Sequence, residues 1–124
     1  MAVTTKNKGV QREVKCGTFT YTVASSTGAV TTTTSLSLPA GAQPIAITAK
    51  VGTLCAQSIN LTIGVGGQII TGNIVTNTHL NVAGEWVAIP LLTTAIPMSG
   101  GAVTVVNDGT IATGVFDFSI CYIM

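Results

Sequence analysis

Between Gly28 and Pro39 the chain reads GAVTTTTSLSLP, an alternation of period two that carries no charge on either face. Val30, Thr32, Thr34, Leu36 and Leu38 fall on one side, and Thr31, Thr33, Ser35 and Ser37 on the other. Period two is the repeat of a β-strand, whose successive side chains point to opposite faces. A strand open to water normally carries Lys or Pro against pairing with a neighbouring chain, and an uncharged one of high β-propensity is an aggregation hazard. The stretch therefore predicts a strand that another protein subunit covers.

The same period continues to the C-terminus. Phe19, Tyr21 and Val23 oppose Thr18, Thr20 and Thr22, and SSTG (25–28) reads as a hairpin turn into the next strand. Ile45, Ile47, Ala49 and Val51 are expected inward with Lys50 outward, and Ile59, Leu61, Ile63 and Val65 inward against Ser58, Asn60, Thr62 and Gly64. VGGQ (65–68) supplies a glycine turn into IITGNIV. In GEWVAIPLL (84–92), Val87, Ile89 and Leu91 alternate with Trp86, Ala88 and Pro90, so this strand is apolar on both sides, and Pro90 marks an edge or an end. The last strand places Phe116, Phe118, Ile120 and Tyr122 in the core and Asp117, Ser119 and Cys121 away from it. No amphipathic helix of normal length is visible. About eight strands punctuated by turns predict an all-β, antiparallel β-sandwich, jelly-roll-like, with an immunoglobulin-like sandwich as the second arrangement.

A chain of 124 residues suits one domain. Only 7% of it is charged, against about 25% in an average soluble domain, and the charge is unevenly placed. Lys6, Lys8, Arg12 and Lys15 stand against Glu13 alone, while the rest holds Lys50, Glu85, Asp108 and Asp117, so the start is +3 and the remainder −2. The division is into a basic, extended N-terminal arm (1–15) and a β-sandwich body (16–124). Ordering a residue costs roughly 1–2 kcal/mol, whereas an exposed ion pair returns about 0–1 kcal/mol. Four cations cannot order the arm alone. Val10, Arg12 and Val14 at period two suit a strand added to another sheet, so the expected partner-binding residues are Lys6, Lys8, Val10, Arg12, Val14 and Lys15.

Mean hydropathy is +0.62, yet no apolar run reaches the roughly 20 residues of a membrane span. The start has no apolar stretch behind its cations, so a secretory signal is not expected and the protein is expected in the cytoplasm where it is made. Cys16, Cys55 and Cys121 are an odd, widely spaced set, read as three reduced, partly buried thiols. His79 sits in the polar TNTHLN segment with no Cys, Asp or Glu beside it. Asp117, flanked by two Phe, is expected to pair across strands with Lys50 or a hydroxyl. Gly64-Val65-Gly66-Gly67 lacks the Gly-Lys-Ser/Thr ending of a phosphate loop. Nucleic-acid binding needs a basic surface interleaved with aromatics, which the body lacks. These residues predict a structural protein, with no catalytic residues, no cofactor and no metal, whose neutral faces are buried by homo-oligomerisation or docking on a larger assembly.

The basic start, the Thr/Gly/Ala/Val-rich strands, GEWVAIPL, IPMSGGAVTVVNDG and ATGVFDFSICYI together resemble the small all-β virion proteins of tailed bacteriophages, above all the capsid decoration or cement proteins with a jelly-roll body. The resemblance implies a homotrimer on the outside of the head, bridging major capsid protein subunits against the pressure of packaged DNA. Another phage part (tail, collar, head fibre or coat-forming subunit) and a carbohydrate-binding β-sandwich module are the alternatives.

Overall fold

The computed structural model describes residues 13–24, 28–55, 57–92, 100–108 and 112–124. Its strands form one long antiparallel ribbon in four pairs. β1 (Val14–Thr22) lies beside β9 (Val115–Ile123), and β2 (Val30–Leu38) beside β8 (Gly101–Asn107). β3 (Gln43–Thr53) lies beside β7 (Trp86–Ile89), and β4 (Asn60–Val65) beside both β5 (Gln68–Ile69) and β6 (Ile74–Val75). The ribbon is rolled so that β9 also pairs with β3 and β8 with β4, all antiparallel. Two sheets result, β1-β9-β3-β7 (sheet 1) and β2-β8-β4-β5 (sheet 2), with β6 also on β4. This rolled ribbon is the jelly-roll arrangement predicted from the alternation.

Where the ribbon folds over at its tip, Val65 and Gln68 pair across Gly66 and Gly67, whose φ angles are +57° and +89°. Two consecutive positive φ values make the tight turn that matches strand twist, and glycine takes them without strain. Gly66 is doubly constrained, because a Cβ there would run into the backbone oxygen of Gly100. Gly66→Ala is expected to lose about 1–3 kcal/mol from the left-handed backbone alone, and more from the clash, read as a lower urea midpoint at unchanged slope. By contrast, β1 and β2 lie in different sheets. The two strands therefore do not pair as the expected hairpin, and residues 25–27 of SSTG lie outside the described residues.

Between the sheets, Phe116, Phe118 and Ile120 of β9 meet Phe19, Tyr21, Ile47, Ala49 and Val51 of the same sheet and Leu61, Ile63, Val65, Val103 and Val105 of the other, all buried. Phe19 stacks on Phe118 with ring centroids 5.3 Å apart. Val23, Leu36, Val87, Leu91 and Tyr122 pack partly buried against this core. Ile45 departs from expectation: it is 44% exposed. The register steps from Pro44↔Tyr122 to Ala46↔Cys121, so Ile45 is the extra residue of a β-bulge and loses its inward place.

IITGNIV is not one strand but two short pieces, β5 and β6. Side chains fill the interrupted ladder: the Thr71 hydroxyl accepts the Ile63 N–H at 3.1 Å and the Thr76 hydroxyl the Ile59 N–H at 3.0 Å. After β6 the predicted polar loop holds a single helical turn, α1 (Thr76–His79). A gap in the β2–β8 register between Thr33 and Ser37 is closed the same way, with the Thr34 hydroxyl donating to the Val103 carbonyl at 2.8 Å.

Candidate functional site

Of the expected partner-binding residues, Lys6, Lys8, Val10 and Arg12 lie outside the described residues. Val14 and Lys15 open β1, where they pair with Ile123 and Tyr122 and stay exposed. Lys15 Nζ is 3.7 Å from the Glu13 carboxylate, a contact too exposed to order anything by itself. Around them the end of sheet 1 is apolar: Val14, Ile45 and Met124 are all exposed, and Ile123 stands between Val14 and Gln43. Glu13 and Val14 thus stand beside an exposed apolar patch.

Next to this patch, Cys16 and Cys121 are direct cross-strand partners joined by a disulfide, which corrects the reading of three reduced thiols. Sequence spacing did not reveal it because the two residues are 105 positions apart and only the β1–β9 pairing brings them together. Cys55 alone is free and half-buried, and burial pushes its thiol up. The phenol of Tyr21 is likewise pushed up by burial.

Further along the outer face of sheet 1, one transverse row crosses all four strands: Thr20, Asp117, Lys50, Trp86. The Thr20 hydroxyl donates to the Asp117 carboxylate at 2.6 Å, and Lys50 is the register partner of Asp117 on its other side, as the sequence predicted. Lys50 Nζ lies 5.9 Å from the Trp86 ring centroid, within cation–π range. Trp86 is 51% exposed. Its strand therefore turns Val87 and Ile89 to the core and leaves the indole to solvent.

The outer face of sheet 2 differs in kind. Thr31, Thr33, Ser35 and Ser37 of β2, Ala102, Thr104 and Val106 of β8, Asn60, Thr62 and Gly64 of β4, Ile69 of β5 and Val75 of β6 compose it, and none is charged. Asp108 stands at its margin, accepting a hydrogen bond from the Asn60 amide at 3.0 Å. His79 is exposed, and its Nδ1 accepts the Val75 N–H at 2.9 Å. That lone pair is engaged in holding α1 against β6. Among the described residues no three His, Cys, Asp or Glu side chains stand close enough to hold a metal ion, and no helix is long and apolar enough to cross a membrane.

No family model and no curated protein matches the chain. Solved structures do. A chain of the cyanophage Pam1 capsid asymmetric unit is 21% identical, with a TM-score of 0.59 over 91% of this chain and 86% of that one. A chain of the acid-stable capsid of Helicobacter pylori bacteriophage KHP30 is 10% identical, with a TM-score of 0.51 over 92% of this chain and 94% of that one. The chain shares its fold with chains of phage capsids, and the matches run nearly end to end in both directions.

Proposed function

We propose that the protein is a structural component of a phage virion, a decoration or cement protein that sits as a homotrimer on the outside of the head and stabilises contacts between major capsid protein subunits. The observation that carries this reading is the two-way match of nearly whole chains to capsid chains: a capsid chain spanned by a β-sandwich of this size leaves little room for a larger shell-forming domain. Sparse charge and an exposed apolar patch beside the basic arm fit a protein whose partner is another protein.

The mechanism is mass action. A ligand that binds only the assembled lattice stabilises it by an amount that grows with its saturation, and three linked copies gain avidity. Modest contacts per copy suffice. In this scheme Lys6, Lys8, Val10 and Arg12 reach an acidic, strand-offering surface of the capsid, and Val14 and Lys15 fix where that reach begins. The role is architectural rather than catalytic.

Deleting residues 1–13 leaves β1 intact and tests the arm. Co-sedimentation with heads lacking the protein is expected to show docking weakened tenfold or more, with far-UV circular dichroism unchanged. Undiminished docking removes the arm's role; failure of the full chain to bind any head overturns the decoration reading. Exposed Trp86 is the observation that favours a carbohydrate-binding module instead. The Lys50 ammonium over its ring occupies stacking surface that a sugar would need, and a glycan screen separates the two readings.

A further inference from the structure

Among the described residues the two sheets have four edges, and they are guarded unequally. β7 is four residues long and stops before Pro90, which cannot donate to a new ladder. On sheet 2, β5 and β6 are two residues each, and the following chain partly covers that side: Leu91 bridges to Thr71 and the Leu92 N–H bonds the Ile70 carbonyl at 2.9 Å. β1 is long, but the Glu13–Lys15 ion pair sits at its start and the disulfide ties it to β9. Among the described edge strands only β2 combines nine residues with no charge and no proline. Its bulge begins after Thr33, leaving Val30–Thr33 as a regular, uncharged edge. Natural proteins seldom leave such an edge open.

We infer that the β2 edge, together with the outer face of sheet 2, is the surface through which copies of this chain associate. Charge chooses the occupant. Every outward position of this face is uncharged, from Thr31 and Thr33 through Thr104 and Gly64 to Ile69, so a partner bringing fixed charges would bury them without counter-ions. A second copy brings an uncharged β2 edge to the hydroxyl-lined neutral face of the next, a head-to-tail contact that can close three copies into a ring. The outer face of sheet 1, which carries Asp117, Lys50 and Trp86, is left for the capsid. Hydroxyls of that face such as Thr62 and Thr104 supply hydrogen-bond partners to main-chain groups that the edge leaves unpaired within its own sheet, and the face supplies the contact area.

This inference deepens the proposed homotrimer and is tested apart from head binding. The mass of the purified protein is measured by light scattering at physiological salt, for the natural chain and for Thr31→Lys/Thr33→Lys, with Thr18→Lys and Thr48→Lys on sheet 1 as controls. Expected is a discrete oligomer for the natural chain and both controls, and a fall to the one-copy mass of 12.5 kDa for the double variant with unchanged circular dichroism. Should the double variant fail to fold, Ser37→Lys on the same edge is read in its place. A natural chain that is monomeric overturns the inference, as does an oligomer indifferent to lysines on β2 or one dissolved by the controls. In each of these cases the head-binding assay still decides the decoration role independently.

Discussion

Reducing the Cys16–Cys121 disulfide lowers the melting temperature by roughly 10–15 °C, the shift for a domain of this size when about 3–4 kcal/mol is lost. The bridge closes a loop of 105 residues, nearly the whole chain, and constraining so long a loop removes much of the unfolded state's freedom. Chain-entropy reasoning gives somewhat over 4 kcal/mol for such a loop, and native bridges commonly deliver a little less. Cys55 contributes little to the comparison, since burial pushes its thiol up and keeps it protonated. Calorimetry with and without a phosphine reductant measures the effect, and Cys16→Ser/Cys121→Ser should reproduce it without reductant. Equal midpoints in both experiments would show that the β1–β9 ladder alone holds that end.

Phe118→Ala has a comparable or larger effect, a loss of about 3–5 kcal/mol. Phe118 is fully buried at the centre of sheet 1, flanked in register by Phe19 and Ala49 and stacked on the Phe19 ring. Truncation forfeits both the burial of the ring and the aromatic contact, itself worth about 0.5–1.5 kcal/mol. Ala49 opposite is too small to fill the space. Measured by denaturant unfolding, the variant should keep its slope and lose a large part of its midpoint, because typical domains hold only about 5–15 kcal/mol in total. Asp117→Asn, one residue away on the outer face, keeps an acceptor for the Thr20 hydroxyl and provides the contrast.

Alternation made most of the sandwich legible. β4 and β9 bury the residues their period assigns, β2 turns its own to the half-buried side with only Leu38 fully covered, and Lys50 and Asp117 face outward as neighbours in one row. What the alternation hid was whatever depended on pairing between distant strands. Ile45 obeys the period in sequence and breaks it in space, because a bulge is a mismatch between two strands and not a property of one. Cys16 meets Cys121 only through the β1–β9 register. Trp86 lies in a strand apolar on both sides, so its direction was settled by which face sheet 2 covers. Thr76 reads as a polar loop residue and Thr71 as part of IITGNIV, but both act as substitutes for missing backbone partners. Of the candidate binding residues, Val14 and Lys15 are placed on an exposed strand start, whereas Lys6, Lys8, Val10 and Arg12 lie outside the described residues.

The place of β9 between β1 and β3 bears on how copies of the protein come into being. β9 is translated after both strands that it joins, and Val14 finds its partner only when Ile123 exists. Loop-closure entropy must be met before such non-local pairings return anything, which makes folding slow and all-or-none. A nascent chain that stops before Val115 has the strands of sheet 2 but lacks Phe116, Phe118 and Ile120, which join β1 to β3 and fill the centre of the core. Incomplete copies therefore lack the strand that joins β1 to β3. The position of β9 in the roll thus ties closure of the sandwich to completion of the chain.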